Sequence, residues 1–448
     1  MASQPVPSAL AGTRGATAES RVSVGAAVLA AAVPVLFVHE RYQPGASLEL
    51  GGADIDVSLA DVAVLAVVVA AIVTGAREGF APLRRGRAFY AALALLCLVC
   101  LAWVFLPVLR DEPTAWRAKL VAAAGFAEYA LLAPALPLLL RTSRERRLVL
   151  MALVLTSAAA TAWAVLQFVG AVDEFRGRRP AQREPSFVGT HDFSALSGSV
   201  LALALVALVT RERLLSPRLT VAAGVAGWLG AVLAGAMTGV LGLWLAAAAL
   251  AVVGVRRYAA TWRALAATAA ILLSVTAGAA ATRGDAIEGF AEFLGINRVD
   301  EAGQVESYAQ RTLLGYIGLR IFLDHPVLGS GFQASNDEWA FGPHLAAARE
   351  RFPTQPDVAF PSPEHPWGVQ NLPIQSLADL GLVGFALFAA VLALGLALGL
   401  RRAPTTAQLV GACSVLVVTG VWNGVGIVPA IPLAAMTWLA FGLAALDD

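Results

Sequence analysis

The sequence predicts an all-α polytopic membrane protein with about 12 transmembrane helices and one large outward-facing loop subdomain. Three observations lead there. Of the 448 residues, 58% are hydrophobic and 14% charged, with a mean hydropathy of +0.71, far from the balance of a soluble domain. Apolar runs of span length recur along the chain. Arginine clusters occupy alternate connections between those runs.

Residues 1–21 are polar and rich in Ala and Ser, and read as a cytoplasmic tail. The apolar run that follows shows no small-residue cleavage site leading into a soluble domain, so an uncleaved first span is expected. A hydrocarbon core of ~30 Å needs about 17 to 25 apolar residues. Spans are expected at 22–38, 58–75, 88–107, 118–140, 148–170, 193–210, 219–236, 238–254, 261–280, 376–400, 405–422 and 427–445. The chain divides accordingly into the tail 1–21, spans one to nine over 22–280, a large loop over 281–375 and the last three spans over 376–448.

Orientation follows from the loops. Arg77, Arg84, Arg85 and Arg87, then Arg141, Arg144, Arg146 and Arg147, then Arg211, Arg213 and Arg218, then Arg256, Arg257 and Arg263, then Arg401 and Arg402 fall on alternate links. With Arg14 and Arg21 they put both termini in the cytoplasm and segments 171–192 and 281–375 outside, as expected of a multi-pass protein of an inner or plasma membrane. The bilayer is therefore a partner, and nucleic acid is not an expected one. Cys97, Cys100 and Cys413 all lie in apolar runs and read as packing residues rather than a disulfide or zinc framework.

The loop 281–375 is too long for a connector. Within it RTLLGYIGLRIFLDHP predicts an amphipathic helix with Leu313, Leu314, Ile317, Ile321 and Phe322 on one side. Irregular structure rich in Gly, Pro and aromatic residues should follow from Leu328 to Pro373. The chain has no internal repeat of the kind that marks inverted-repeat transporters.

Outward arginines break the positive-inside pattern at Arg176, Arg178, Arg179 and Arg183, and the large loop adds Arg283, Arg298, Arg311, Arg320, Arg349 and Arg351. The plain reading is solvated charge, or pairs with Asp173, Glu174, Glu184 and Asp300. The functional reading is phosphate recognition, which suits the planar guanidinium donor fork. Asp54-Ile55-Asp56 looks like a metal motif, but between Gly51-Gly52 and Ser58 it reads as a turn entering the second span.

Three stretches carry a family resemblance: REPSFVGTHDFSALSG from Arg183, QRTLLGYIGLRIFLDHPVLGSGF around Arg311, and EHPWGVQNLPIQSLADLGLVGF from Glu364. In order and placement they resemble the O-antigen ligase and polymerase superfamily of polytopic membrane glycosyltransferases. That resemblance implies glycan transfer from a polyprenyl-diphosphate carrier to an acceptor hydroxyl on the outer face, as ligation or polymerisation, with the acceptor a glycan, lipid or polymer. It implies no cofactor and no metal: Arg183 and Arg311 would stabilise the diphosphate leaving group and a histidine would take the acceptor proton. In the commonest family pattern that histidine directly precedes the asparagine, where this chain has Gln370. His365, six residues before Asn371, is the expected substitute. Gln370, Asn371, Trp367, Arg179, Arg320 and His325 complete the expected substrate-binding set. His325 also competes as a catalytic candidate, although Asp324-His325-Pro326 reads well as helix termination. His191 and His344 are weaker candidates, and His39 reads as a loop residue. A second departure is Met237-Thr238-Gly239, where many relatives show Ser-Arg-Gly.

Two other functions compete. Glu128 is the ionisable residue deepest in a span, where a charge costs at least ~2.5 kcal/mol; a transporter would use it as an ion or proton site. A non-catalytic envelope-assembly scaffold would account for Gln370.

Overall fold

The computed structural model describes residues 22–50, 53–172, 183–284, 307–401 and 404–446. The first ten helices are α1 (Val24–Leu36), α2 (Leu59–Glu78), α3 (Arg87–Trp103), α4 (Trp116–Ala130), α5 (Leu132–Leu139), α6 (Ser143–Phe168), α7 (Thr190–Thr210), α8 (Pro217–Ala234), α9 (Met237–Arg257) and α10 (Trp262–Ala281). The large loop contributes α11 (Ser307–Asp324), α12 (Glu338–Phe341) and α13 (Leu345–Arg351), and the chain closes with α14 (Leu372–Gly399), α15 (Thr406–Val421) and α16 (Ile431–Ala444).

Among the described residues nine helices are long and apolar enough to cross a membrane, α4 and α5 being counted as one. The protein is an integral membrane protein. At three of the expected spans, 22–38, 88–107 and 427–445, the apolar helix is shorter: 13, 17 and 14 residues in α1, α3 and α16. Capping explains several of the helix starts. Ser58 with Asp61, Thr142 with Glu145 and Thr405 with Gln408 each form a reciprocal capping box that satisfies two orphan N–H groups.

The arginine-bearing links meet at one end of the bundle. Arg141 pairs with Glu78 at 3.2 Å, Arg147 donates to the Leu214 carbonyl at 3.1 Å, and Tyr258 donates to the Pro404 carbonyl at 2.6 Å. The opposite end, here the loop face, carries the large loop and the starts of α7, α9, α14 and α16.

Residues 45–58 correct the expectation of a turn. They form an antiparallel hairpin, β1 (Gly45–Leu50) and β2 (Ala53–Ser58), with Gly45 opposite Ser58. The period-two alternation of Asp-Ile-Asp-Val-Ser is the reason, because it matches the pleat of a strand rather than a single turn.

In α11 the expected apolar face is buried: Leu313, Leu314, Ile317 and Ile321 are each no more than 2% exposed, with Phe322 half-buried. They pack with Phe341, Ala348 and Phe360 of the loop and Ala378 of α14 in a small core separate from that of the bundle.

The tenth expected span differs from the expectation in two ways. It starts at Leu372 rather than 376, because Asn371 caps it by accepting from the Ile374 N–H at 3.1 Å. It is also broken at Gly381, whose φ of +64° and ψ of −166° lie outside the helix. The loop segment after α11 repairs the break. Ser330 and Gly331 N–H donate to the Ala378 and Asp379 carbonyls at 2.8 Å each, while Leu382 and Val383 N–H donate to the Pro326 and Val327 carbonyls at 2.9 and 3.2 Å. Each such group left unpaired in hydrocarbon costs several kcal/mol. Close approach dictates the glycines: a Cβ on Gly329, at φ +74°, would lie 2.4 Å from the Asp379 backbone.

A polar network anchors the same turn. The Asp379 carboxylate, fully buried, accepts from the Ser335 N–H at 2.8 Å. Lys119 on α4, the single lysine of the chain, donates to Asp337, which also accepts from the Trp339 indole at 3.2 Å. Arg110 donates to the Gly329 carbonyl at 3.0 Å. The loop is thereby tied to α4, α14 and the segment after α3 at once.

Candidate functional site

The starts of α7 and α9 lie side by side at the loop face. Gly239, in the first turn of α9, packs against Ser194 of α7 so closely that a Cβ there would meet the Ser194 hydroxyl. Neither helix has a side-chain N-cap, since Gly189 and Ala236 precede them. The uncapped start of α9 presents backbone N–H groups and the positive end of a helix dipole, a natural seat for an anion, whereas the first turn of α7 already carries the buried Asp192 carboxylate.

Arginines gather beside these starts. Arg183 and Arg283 converge on Gly235, two residues before α9: a Cβ at that glycine would lie 2.9 Å from Arg183 Cβ and 3.4 Å from Arg283 Cγ. Gly235 has φ +55°, a left-handed conformation that glycine adopts at no steric cost. The Glu184 N–H donates to the Leu233 carbonyl at 2.7 Å, which pins the Arg183 segment to the end of α8. Arg283 is only 6% exposed.

Arg311 reaches the same region from α11. Its Nη2 lies 3.0 Å from His191 Nε2 and its Nε donates to Gln370 Oε1 at 3.3 Å. A guanidinium only donates, so in this contact His191 Nε2 is the accepting, unprotonated nitrogen. Gly424, after α15, lets the imidazole in: a Cβ there would be 3.1 Å from His191 Cε1 and 3.3 Å from the Thr238 hydroxyl of α9. The next residue, Asp192, accepts the Leu433 N–H at 2.9 Å and so holds the start of α7 against α16.

The structure thus brings Arg311, Gln370 and His191 into contact and sets Arg183 beside the adjoining α8 to α9 turn. The other sequence-derived residues that are described make contacts of their own. His365 is exposed, hydrogen-bonds to Ser362 and stacks on Trp367 with ring centroids 5.8 Å apart. Trp367 donates to the Val358 carbonyl at 3.1 Å. Arg320 lies nine residues after Arg311, on the opposite side of α11, and is held by Tyr316 through hydrogen bonds of 3.0 and 3.1 Å. His325 packs edge-on to Trp339 at 6.3 Å, and burial and Arg110 pull its pKa down. His344 pairs with Asp324 at 3.2 Å, yet burial outweighs that carboxylate and lowers its pKa too. Asn371 is occupied as the cap of α14. Arg179 lies outside the described residues. Glu128 is half-buried in α4. Among the described residues no group of three or more His, Cys, Asp or Glu is arranged to hold a metal ion.

His191 was legible only weakly in the sequence. Its signal was proximity to Arg183 within one motif, whereas its contact with Arg311 joins residues 120 positions apart.

No curated protein matches the chain. Residues 222–389, which contain α9, Arg311, the Gly329–Gly331 turn and Gln370, match the family described as O-antigen ligase, which supports the resemblance to the O-antigen ligase and polymerase superfamily.

Proposed function

We propose that the protein transfers a glycan from a polyprenyl-diphosphate carrier to an acceptor hydroxyl at the loop face, as a ligase or a polymerase. The O-antigen ligase family is glycosyltransferase-like, and the arginine cluster supports this finer reading. The observation that carries it is the position of Arg311, shared between His191 and Gln370, near the uncapped start of α9.

In this reading the diphosphate lies between Arg311 and Arg183, with the α9 N-terminus adding partial positive charge. Charge develops on the leaving phosphate oxygen as the anomeric C–O bond breaks, and fixed guanidinium groups stabilise it without reorganising. The acceptor oxygen attacks the anomeric carbon and its proton passes to His191 Nε2. Diphosphate competes with His191 for Arg311, so donor binding frees the nitrogen lone pair that accepts the proton. His365, at the exposed rim, is not used as the base in this mechanism. The arginine-rich end faces the cytoplasm, with both termini, and the loop face is the outer one.

The test is glycan transfer in cells. Arg311→Ala and His191→Ala should each stop transfer at normal protein abundance, with the carrier-linked donor accumulating. Unchanged surface glycan in both variants would sink the reading.

A further inference from the structure

A cavity of about 540 Å³ opens between α2, α4, α14, α16 and the segment 422–431, within the range of sites that bury small amphiphilic ligands. Its wall is apolar and aromatic, with Phe126, Phe388, Trp422 and Trp438 facing the space. At one end stand Glu40, Asp56 and Asp61 with the Ser58 and Tyr129 hydroxyls. Among the described residues its lining includes no lysine, arginine or histidine, the reverse of the arginine cluster.

The two sites share a wall. Leu372 follows the Asn371 cap, Ile427 N–H donates to Gln375 of α14 at 2.7 Å, and Trp422 lies two residues before the Gly424 that faces His191. The carboxylate end is built rather than incidental. Asp61 accepts from Ser58 N–H at 2.7 Å and from the Tyr129 hydroxyl at 3.0 Å, and Asp56 accepts from Ser47 across the hairpin.

We propose that this cavity binds one amphiphile whose apolar chain fills the aromatic wall and whose headgroup is uncharged and rich in hydroxyls, a glycosyl lipid rather than a phospholipid. Carboxylates accept hydroxyl protons and repel phosphate, so the rim selects against the anionic lipids that surround the protein. Taken with the proposed transfer reaction, on which this last step rests, the bound lipid is the acceptor, and a hydroxyl of its headgroup extends past the shared wall at Trp422 to reach His191.

Gly125 supplies the test. It lines the cavity, and a Cβ at that position meets nothing within 4 Å, so a larger side chain enters the space without strain and α4 gains helix propensity. Native mass spectrometry of the purified full chain in detergent would measure retention of monoglucosyl diacylglycerol, phosphatidic acid and an alkylamine of matched chains. The glycolipid should be retained about tenfold more tightly than phosphatidic acid. Gly125→Leu should abolish that retention with its melting temperature unchanged, and Glu40→Gln with Asp56→Asn should erase the preference over phosphatidic acid. Equal or tighter retention of phosphatidic acid or of the alkylamine, or undiminished glycolipid retention in Gly125→Leu, overturns the proposal. Arg311→Ala should keep the glycolipid while losing transfer, so loss of retention there overturns the separateness of the two sites. Retention that follows these expectations in a protein without transferase activity would sink the acceptor role and the transfer reaction while leaving the lipid site intact.

Discussion

Arg311 and His191, 120 residues apart in the chain, meet at 3.0 Å between Nη2 and Nε2. The arginine comes from the amphipathic loop helix and the imidazole from the first turn of a buried membrane helix. Their contact couples the position of the loop to this histidine.

This pairing separates two histidines by experiment. His191→Ala should lower transfer by roughly 10² to 10⁴-fold, the usual contribution of a general base, whereas His365→Ala should stay within a few-fold of the parent. Initial rates with a carrier-linked donor and purified protein would decide it. The reverse order of effects would return the base to the loop rim.

Arg311→Lys asks whether the planar fork matters. A lysine keeps the charge but cannot engage His191 and Gln370 with two nitrogens, so transfer should fall by at least about tenfold at unchanged thermal stability. Full activity would reduce Arg311 to a point charge.

The Lys119–Asp337 pair tests how the loop is anchored, since the two side chains are only 8% and 17% exposed. Removing one partner strands a buried charge, so Lys119→Met should cost about 3 to 5 kcal/mol, while Lys119→Met combined with Asp337→Leu should recover much of it. Melting in detergent compares the three proteins. A single variant no less stable than the double one would mean that the pair is solvated.

The broken helix makes a contrast between glycines. Gly381→Ala places a Cβ 2.4 Å from the Val327 carbonyl at φ +64°, and should destabilise the protein severely or prevent its folding. Gly224→Ala, where the nearest atom is 3.6 Å away, should be neutral or slightly stabilising. Expression and melting temperature would rank them.

Acid should loosen the loop before it unfolds the bundle. A histidine whose folded pKa lies below its ordinary 6.5 binds fewer protons folded than unfolded, as burial makes true of His325 and His344. Their contribution is complete above pH 6.5 and falls as the pH drops towards their folded values. The fluorescence of Trp339, which packs against His325, should report this loosening, and His325→Gln with His344→Gln should suppress it.

Hydropathy in the sequence determined the membrane class and where the long apolar helices lie, because burial in lipid demands long apolar runs whatever their neighbours. The amphipathic face of α11 was equally plain, its period being local. The hairpin at 45–58 leaves little signal in the sequence, because its alternation is short and glycine-flanked. The motif around Asn371 was legible as a signature but not as a mechanism. Folding shows Asn371 capping a helix, Gln375 holding Ile427, Asp379 fixing Ser335 and Gln370 accepting from Arg311. Which histidine faces the arginine was decided by the tertiary structure alone. Contacts across 120 residues depend on how α7 packs against α9 and how the loop docks on a broken helix, and no local pattern in the chain encodes either distance.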